Sequence, residues 1–183
     1  MSTDQQYDHV AAICRDIYTK KLKDYGASWR ILRPTSVTDQ IFIKANRIRS
    51  IETKGVNKVG EDVRNELIAI VNYSIIGLIQ FELGETTCDD LRMERAEALY
   101  EKYINEAKRL MEAKNHDYDE AWRLMRPQSY TDLILQKIHR TKQIEDNQGH
   151  TLISEGIDAN YFDMINYAVF GLIKKEFEST DSL

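Results

Sequence analysis

The chain has few of the residues that break regular structure. Among its 183 residues there are 8 glycines and 2 prolines, too few to punctuate many short strands, and this favours long helices. It holds two cysteines, Cys14 and Cys88, with no CxxC pair; a disulfide framework or a zinc site is not expected, and a reducing cytoplasm is. Its first ten residues, MSTDQQYDHV, lack the basic-then-apolar order of a signal peptide. The most apolar run, residues 67–79, contains Asn72 and is too short to span a bilayer, so a buried helix is expected and no membrane partner. Excess positive charge is missing too. The net charge is −5 and the pI about 5.5, which removes the electrostatic reason for bulk nucleic-acid binding. GxxxxGK[ST], GxGxxG and GxSxG are absent. The four histidines, His9, His116, His139 and His150, show no metal-ligand spacing. What remains is 42% hydrophobic and 30% charged, a composition that folds.

What is present is a duplication. DYGASWRILRPTSVTDQIFIKANRIRSIE, residues 24–52, returns as DYDEAWRLMRPQSYTDLILQKIHRTKQIE, residues 117–145. Both tryptophans and both prolines fall in the match. After a one-residue slip at Gly55/Gly149, Asn72-Tyr73 meets Asn166-Tyr167 and Gly77 meets Gly171. The spacing of apolar residues predicts three helices per copy: 4–24, 34–53 and 59–83, then 89–115, 127–146 and 155–178. Gly26 suits a left-handed cap. The connection GETTCDD is too short to separate two independent domains. The expected fold is all-α: two tandem three-helix repeats, residues 1–84 and 85–183, packed into one pseudo-twofold helical bundle.

On the second helix of each copy, Lys44 and Lys137 fall among the apolar positions, with Arg47 and Arg140 beside them. A lysine facing a core must pair with an acid, snorkel or lose its charge. The third helix is apolar nearly all round, apart from a stripe of Glu66, Ala69, Asn72 and Tyr73, matched by Asn160, Asp163, Asn166 and Tyr167. Each copy keeps a different acid. One reading is two ion pairs, Lys44 with Glu66 and Lys137 with Asp163. The other is a composite Mg²⁺ site in which Glu66 and Asp163, joined by Glu61 and Glu155, supply the carboxylates that a hard cation prefers.

The segments RPTSVTD and RPQSYTD place Ser36-x-x-Asp39 and Ser129-x-x-Asp132 where a capping box is expected. Capping leaves the arginines unexplained. Arg30 with Arg33, and Arg123 with Arg126, are candidates to hold a phosphate beside a helix N-terminus, with Lys44, Arg47, Lys137 and Arg140 as further phosphate ligands. Trp29 and Trp122 are read as core anchors.

These motifs, Asp-Tyr then Trp-Arg, Arg-Pro-x-Ser-x-Thr-Asp-x-Ile-x-x-Lys-x-x-Arg and an acid-bearing Asn-Tyr helix, resemble the nucleotide-modification-associated helical domain of bacteria and phages, present twice over nearly the whole chain. The resemblance implies a role linked to modified nucleotides or nucleotide metabolism. A remoter likeness is to the all-α nucleoside triphosphate pyrophosphohydrolases of the MazG and dimeric dUTPase type, which hold Mg²⁺ with Glu-Glu-x-x-Glu and Glu-x-x-Asp. Glu66 sits at the later Glu and Asp163 at the later Asp, each in a different repeat; the earlier element is not found. The expectation is therefore a nucleotide-associated protein, a homodimer being compatible with it, that binds or hydrolyses a nucleoside phosphate with Mg²⁺ between the repeats. The alternative is a non-catalytic helical scaffold with buried Lys–acid pairs.

Overall fold

A computed structural model describes residues 1–55 and 62–178. Six α-helices run in the order α1 (Thr3–Tyr25), α2 (Pro34–Lys54), α3 (Val63–Leu83), α4 (Met93–Tyr118), α5 (Pro127–Asp146) and α6 (Ile157–Ile173). A 3₁₀ turn precedes α2 (Ser28–Ile31) and another precedes α5 (Ala121–Leu124), and a π turn, Lys174–Glu178, continues α6. There is no strand among the described residues.

Local chemistry sets the ends. α1 opens with a capping box: the Gln5 N–H donates to Ser2 Oγ at 3.3 Å and the Ser2 N–H to Gln5 Oε1 at 2.9 Å. It closes at Gly26, whose φ of +69° belongs to the region glycine reaches freely. The matching turn of the second repeat uses Asp119 and Glu120 at φ +50° and +54° instead. α2 and α5 each start with proline at the first turn, the N-caps being Arg33 and Arg126, with no side-chain cap bond. The expected capping boxes are therefore corrected. Ser36 and Asp39, like Ser129 and Asp132, already lie inside their helices. α4 begins at Met93, later than its spacing predicted, and the preceding Asp90 is paired with Arg30.

The third helix of each repeat is central. α3 packs on α6, α2 lies on α3, α5 lies on α6, and α2 meets α5 across the repeat boundary, while α1 and α4 each touch both central helices. By length and composition α3 would cross a membrane, but 72% of its most apolar window is buried here against the other helices. Two glycines allow the close approach of α3 and α6. A Cβ on Gly77 would lie 2.6 Å from the Tyr161 ring, and one on Gly171 would lie 3.2 Å from Leu67 Cδ1. The arrangement is reciprocal, since Leu67 and Tyr161 occupy matching positions.

Reciprocity extends to the polar contacts that join the repeats. Thr38 donates to Glu145 at 2.7 Å, and Thr131 donates to Glu52 at 2.8 Å. Asp39 meets Lys142 at 2.8 Å, and Asp132 meets Arg49 at 4.0 Å. The Tyr100 hydroxyl donates to Asn72 Oδ1 (2.8 Å), whose amide donates to the Cys14 carbonyl (3.1 Å). The Tyr7 hydroxyl donates to Asn166 Oδ1 (2.9 Å), whose amide donates to the Ala107 carbonyl (3.0 Å). Each asparagine thus has partners on both outer helices, and each repeat completes the other.

Candidate functional site

The second and third helices bring the lysines to the acids inside each repeat. Glu66 is buried, with Arg47 Nη1 at 3.0 Å and Lys44 Nζ at 3.7 Å. Asp163 receives Lys137 Nζ at 2.8 Å and, from α4, Lys114 Nζ at 2.7 Å. Burial alone would raise the Asp163 carboxyl, but the hydrogen bonds and charges of Lys114 and Lys137 outweigh it and hold the group below its ordinary value of 3.8. Burial works against the Lys114 charge, yet Asp163 lifts its pKa above the usual lysine value.

The arginines beside the tryptophans are structural ties. Arg30 is buried, donating to Asp90 at 2.8 Å, to the Gly84 carbonyl at 2.9 Å and to Gln80. It fastens the link between the repeats to the end of α3. Gln80 in turn donates to the carbonyls of Trp29, Arg30 and Leu32. Arg123 lies over the Trp122 ring and bonds Glu120, Glu178, Thr3 and Gln6. Lys174, at the position of Gln80, donates to the Arg123 carbonyl at 2.6 Å. Trp29 and Trp122 are buried as expected, the latter stacked on Phe170 at 4.2 Å. Arg33 and Arg126 stand exposed at the helix starts, apart from their buried neighbours, and Arg140 is half-buried.

The acids expected to hold Mg²⁺ are not gathered. Glu66 turns to α2, Asp163 to α5 and α4, and Glu155 is exposed before α6, reaching Lys114 only through its charge. Glu61 lies outside the described residues. No group of three His, Cys, Asp or Glu suited to a metal occurs among the described residues. The carboxylate oxygens of Asp163 are both committed to ammonium groups. The described residues therefore do not fit a shared magnesium ion.

The placement of the acids also differs between the repeats beside a groove of the first. Between α1, the first 3₁₀ turn and α3 there is a cavity of about 600 Å³, inside the ~300–1,000 Å³ range of small-ligand sites. Its walls are Tyr18, Leu22, Trp29 and Ile68; Lys21, Tyr25 and Tyr73 stand at its polar side. From α3 it is lined by Ala69 among others. Asp163 occupies the position of Ala69 in the second repeat, and Lys114 that of Lys21. There the two side chains form an ion pair across the equivalent space. In the first repeat the acid sits a turn earlier, as Glu66, and Lys21 has no ion pair among the described residues. Burial, and then the charges of the nearby Tyr73 and Asp24, raise the pKa of the Tyr25 hydroxyl.

Lys21 and Ala69 were not singled out by the sequence patterns. Lys21 lies three residues before the matched block, and an alanine on an apolar helix carries no signal unless it is set against Asp163.

Two stretches, residues 21–81 and 114–174, match the family model described as Nucleotide modification associated domain 1. No curated protein and no solved structure matches the chain. The two stretches cover more than half of the chain, and each takes in the end of the first helix and the second and third helices of one repeat: the chain belongs to the nucleotide modification associated domain 1 family and carries the domain twice in tandem.

Proposed function

We propose that this chain binds a nucleoside phosphate in the groove of the first repeat. One observation carries the reading. Two matching lysines face two matching positions on the central helices, yet only the second lysine has an acid there. A cation left without its counterpart, beside a cavity walled by Trp29 and Tyr18, suits a ligand that offers a flat ring and a negative charge. The family's link to nucleotide modification supplies the ligand class.

The test is thermal unfolding with a nucleotide panel on the wild type and on Ala69→Asp, which rebuilds in the first repeat the ion pair of the second. A ligand that binds only the folded chain raises the midpoint. The wild type is expected to shift with a nucleoside phosphate and the variant not to. Equal shifts in both proteins, or none in the wild type, would sink the reading.

A second reading, a scaffold without ligand, draws on the separate Lys–acid clusters of the two repeats. It predicts that no nucleotide moves the midpoint of either protein.

A further inference from the structure

We infer that the groove selects a nucleoside monophosphate over a triphosphate, with Lys21 as the phosphate anchor; this rests on the binding reading above. Among the described residues, Lys21 is the only cation lining the cavity, and none of the described carboxylates or imidazoles lines it. Each extra phosphate brings more negative charge into a space to which the described residues add no further positive group. A metal-borne triphosphate requires carboxylates or other hard oxygen donors for the ion, as well as several cations for the phosphates.

The basic side chains that would otherwise serve a polyphosphate are engaged elsewhere. Arg30 is held by Asp90, Gln80 and Gly84, and Lys44 and Arg47 are held at Glu66. Arg33, although near in sequence, does not line the groove. The remainder of the wall suits a base rather than more phosphate. Trp29, Tyr18 and Ile68 offer apolar and aromatic surface, while Asn65 adds an exposed amide able to donate and accept at a base edge. Asn72 also lines the groove, but its amide is committed to Tyr100 and to the Cys14 carbonyl, so it shapes the wall without reading a ligand.

The experiment is calorimetric titration of the full chain with a nucleoside, its monophosphate and its triphosphate, the last with and without Mg²⁺. The same series is run on Lys21→Met and Lys21→Arg. Lys21 is exposed, and the thermal midpoint of each free variant verifies that it folds. In the wild type the monophosphate is expected to bind at least roughly tenfold more tightly than the nucleoside, the scale of a lost charge-assisted contact. That advantage vanishes in Lys21→Met and returns in Lys21→Arg, and Mg²⁺ brings the triphosphate no gain over the monophosphate. A triphosphate that binds best, and only with Mg²⁺, overturns the inference but leaves nucleotide binding standing. A monophosphate preference that survives Lys21→Met also overturns it. If none of the three ligands binds the wild type, the binding reading and this inference fall together.

Discussion

At the scale of single residues, the chain is most informative where its two halves differ. Lys44 and Lys137 occupy the same place and each has an acid, but the acids are one turn apart, Glu66 in one repeat and Asp163 in the other. Asp163 therefore serves two lysines, and its pKa is lowered below 3.8 by Lys114 and Lys137 against the effect of burial. A carboxylate with a lowered folded pKa contributes stability above its unfolded value and loses it as pH falls through the folded one. Asp163→Asn is thus expected to melt lower than the wild type at neutral pH. The gap should begin to close as the pH drops below about 3.8, the ordinary value from which Asp163 is displaced. Melting curves on both proteins over an acid series check this. A gap independent of pH would mean that Asp163 acts by packing rather than charge. Lys44 with Glu66 and Lys137 with Asp163 were legible in the sequence because a cation among apolar residues demands a partner. Lys114, the second partner, was not, since nothing in helical periodicity announces a lysine arriving from another helix.

At the scale of elements, the helices follow from apolar spacing and the two prolines, but the closeness of α3 and α6 depends on glycine. Gly77 faces the Tyr161 ring, whose hydroxyl lies 2.9 Å from Thr38, which itself donates to Glu145. The ring is held at both ends and has little freedom to move aside. Gly77→Ala gains helix propensity of about 1 kcal/mol, but overpacking against a fixed ring costs about 1–3 kcal/mol. The overpacking is expected to win, with a net loss of stability. Gly171→Ala meets the end of a leucine side chain instead, at 3.2 Å. Leu67 has a flexible terminus, so that variant is expected to fall near neutral. Urea unfolding of the two variants checks the order; equal losses would show that the Tyr161 ring is not pinned. The sequence displayed this glycine pair as a match without indicating its purpose, because helix packing joins residues that no local pattern relates. The same holds for Ser36 and Asp39. Their spacing satisfied a capping rule, but Pro34 starts the helix earlier and Asp39 goes to Lys142.

At the scale of the whole molecule, the packing of one repeat on the other accounts for some of the identities between them. Thr38, Asp39 and Glu52 match Thr131, Asp132 and Glu145, and each of them reaches across the pseudo-twofold interface to a residue of the other repeat. An isologous contact constrains both partners at once, so these positions persist without any ligand to hold. The arrangement has an electrostatic consequence. Burial raises the pKa of both Glu52 and Glu145 from 4.5; the hydrogen bonds from Thr131 and Thr38 act in the opposite direction without cancelling it, and Asp132 and Asp39 add to the rise. For such a group the folded state holds its proton to higher pH than the unfolded state. The contribution of these two groups to stability is then greatest below about 4.5 and declines as pH rises through the raised folded values. Glutamine at both positions keeps an acceptor oxygen for each threonine and has no proton to lose. The Glu52→Gln, Glu145→Gln double variant is therefore expected to gain on the wild type as the pH is raised from 4 to 7. Asp163 shifts in the other direction, but it is present in both proteins and drops out of the comparison. Thermal midpoints across that range decide the matter. A difference between the two proteins that stays flat with pH, or shrinks as pH rises, would show that the interface tolerates its two carboxylates without electrostatic cost.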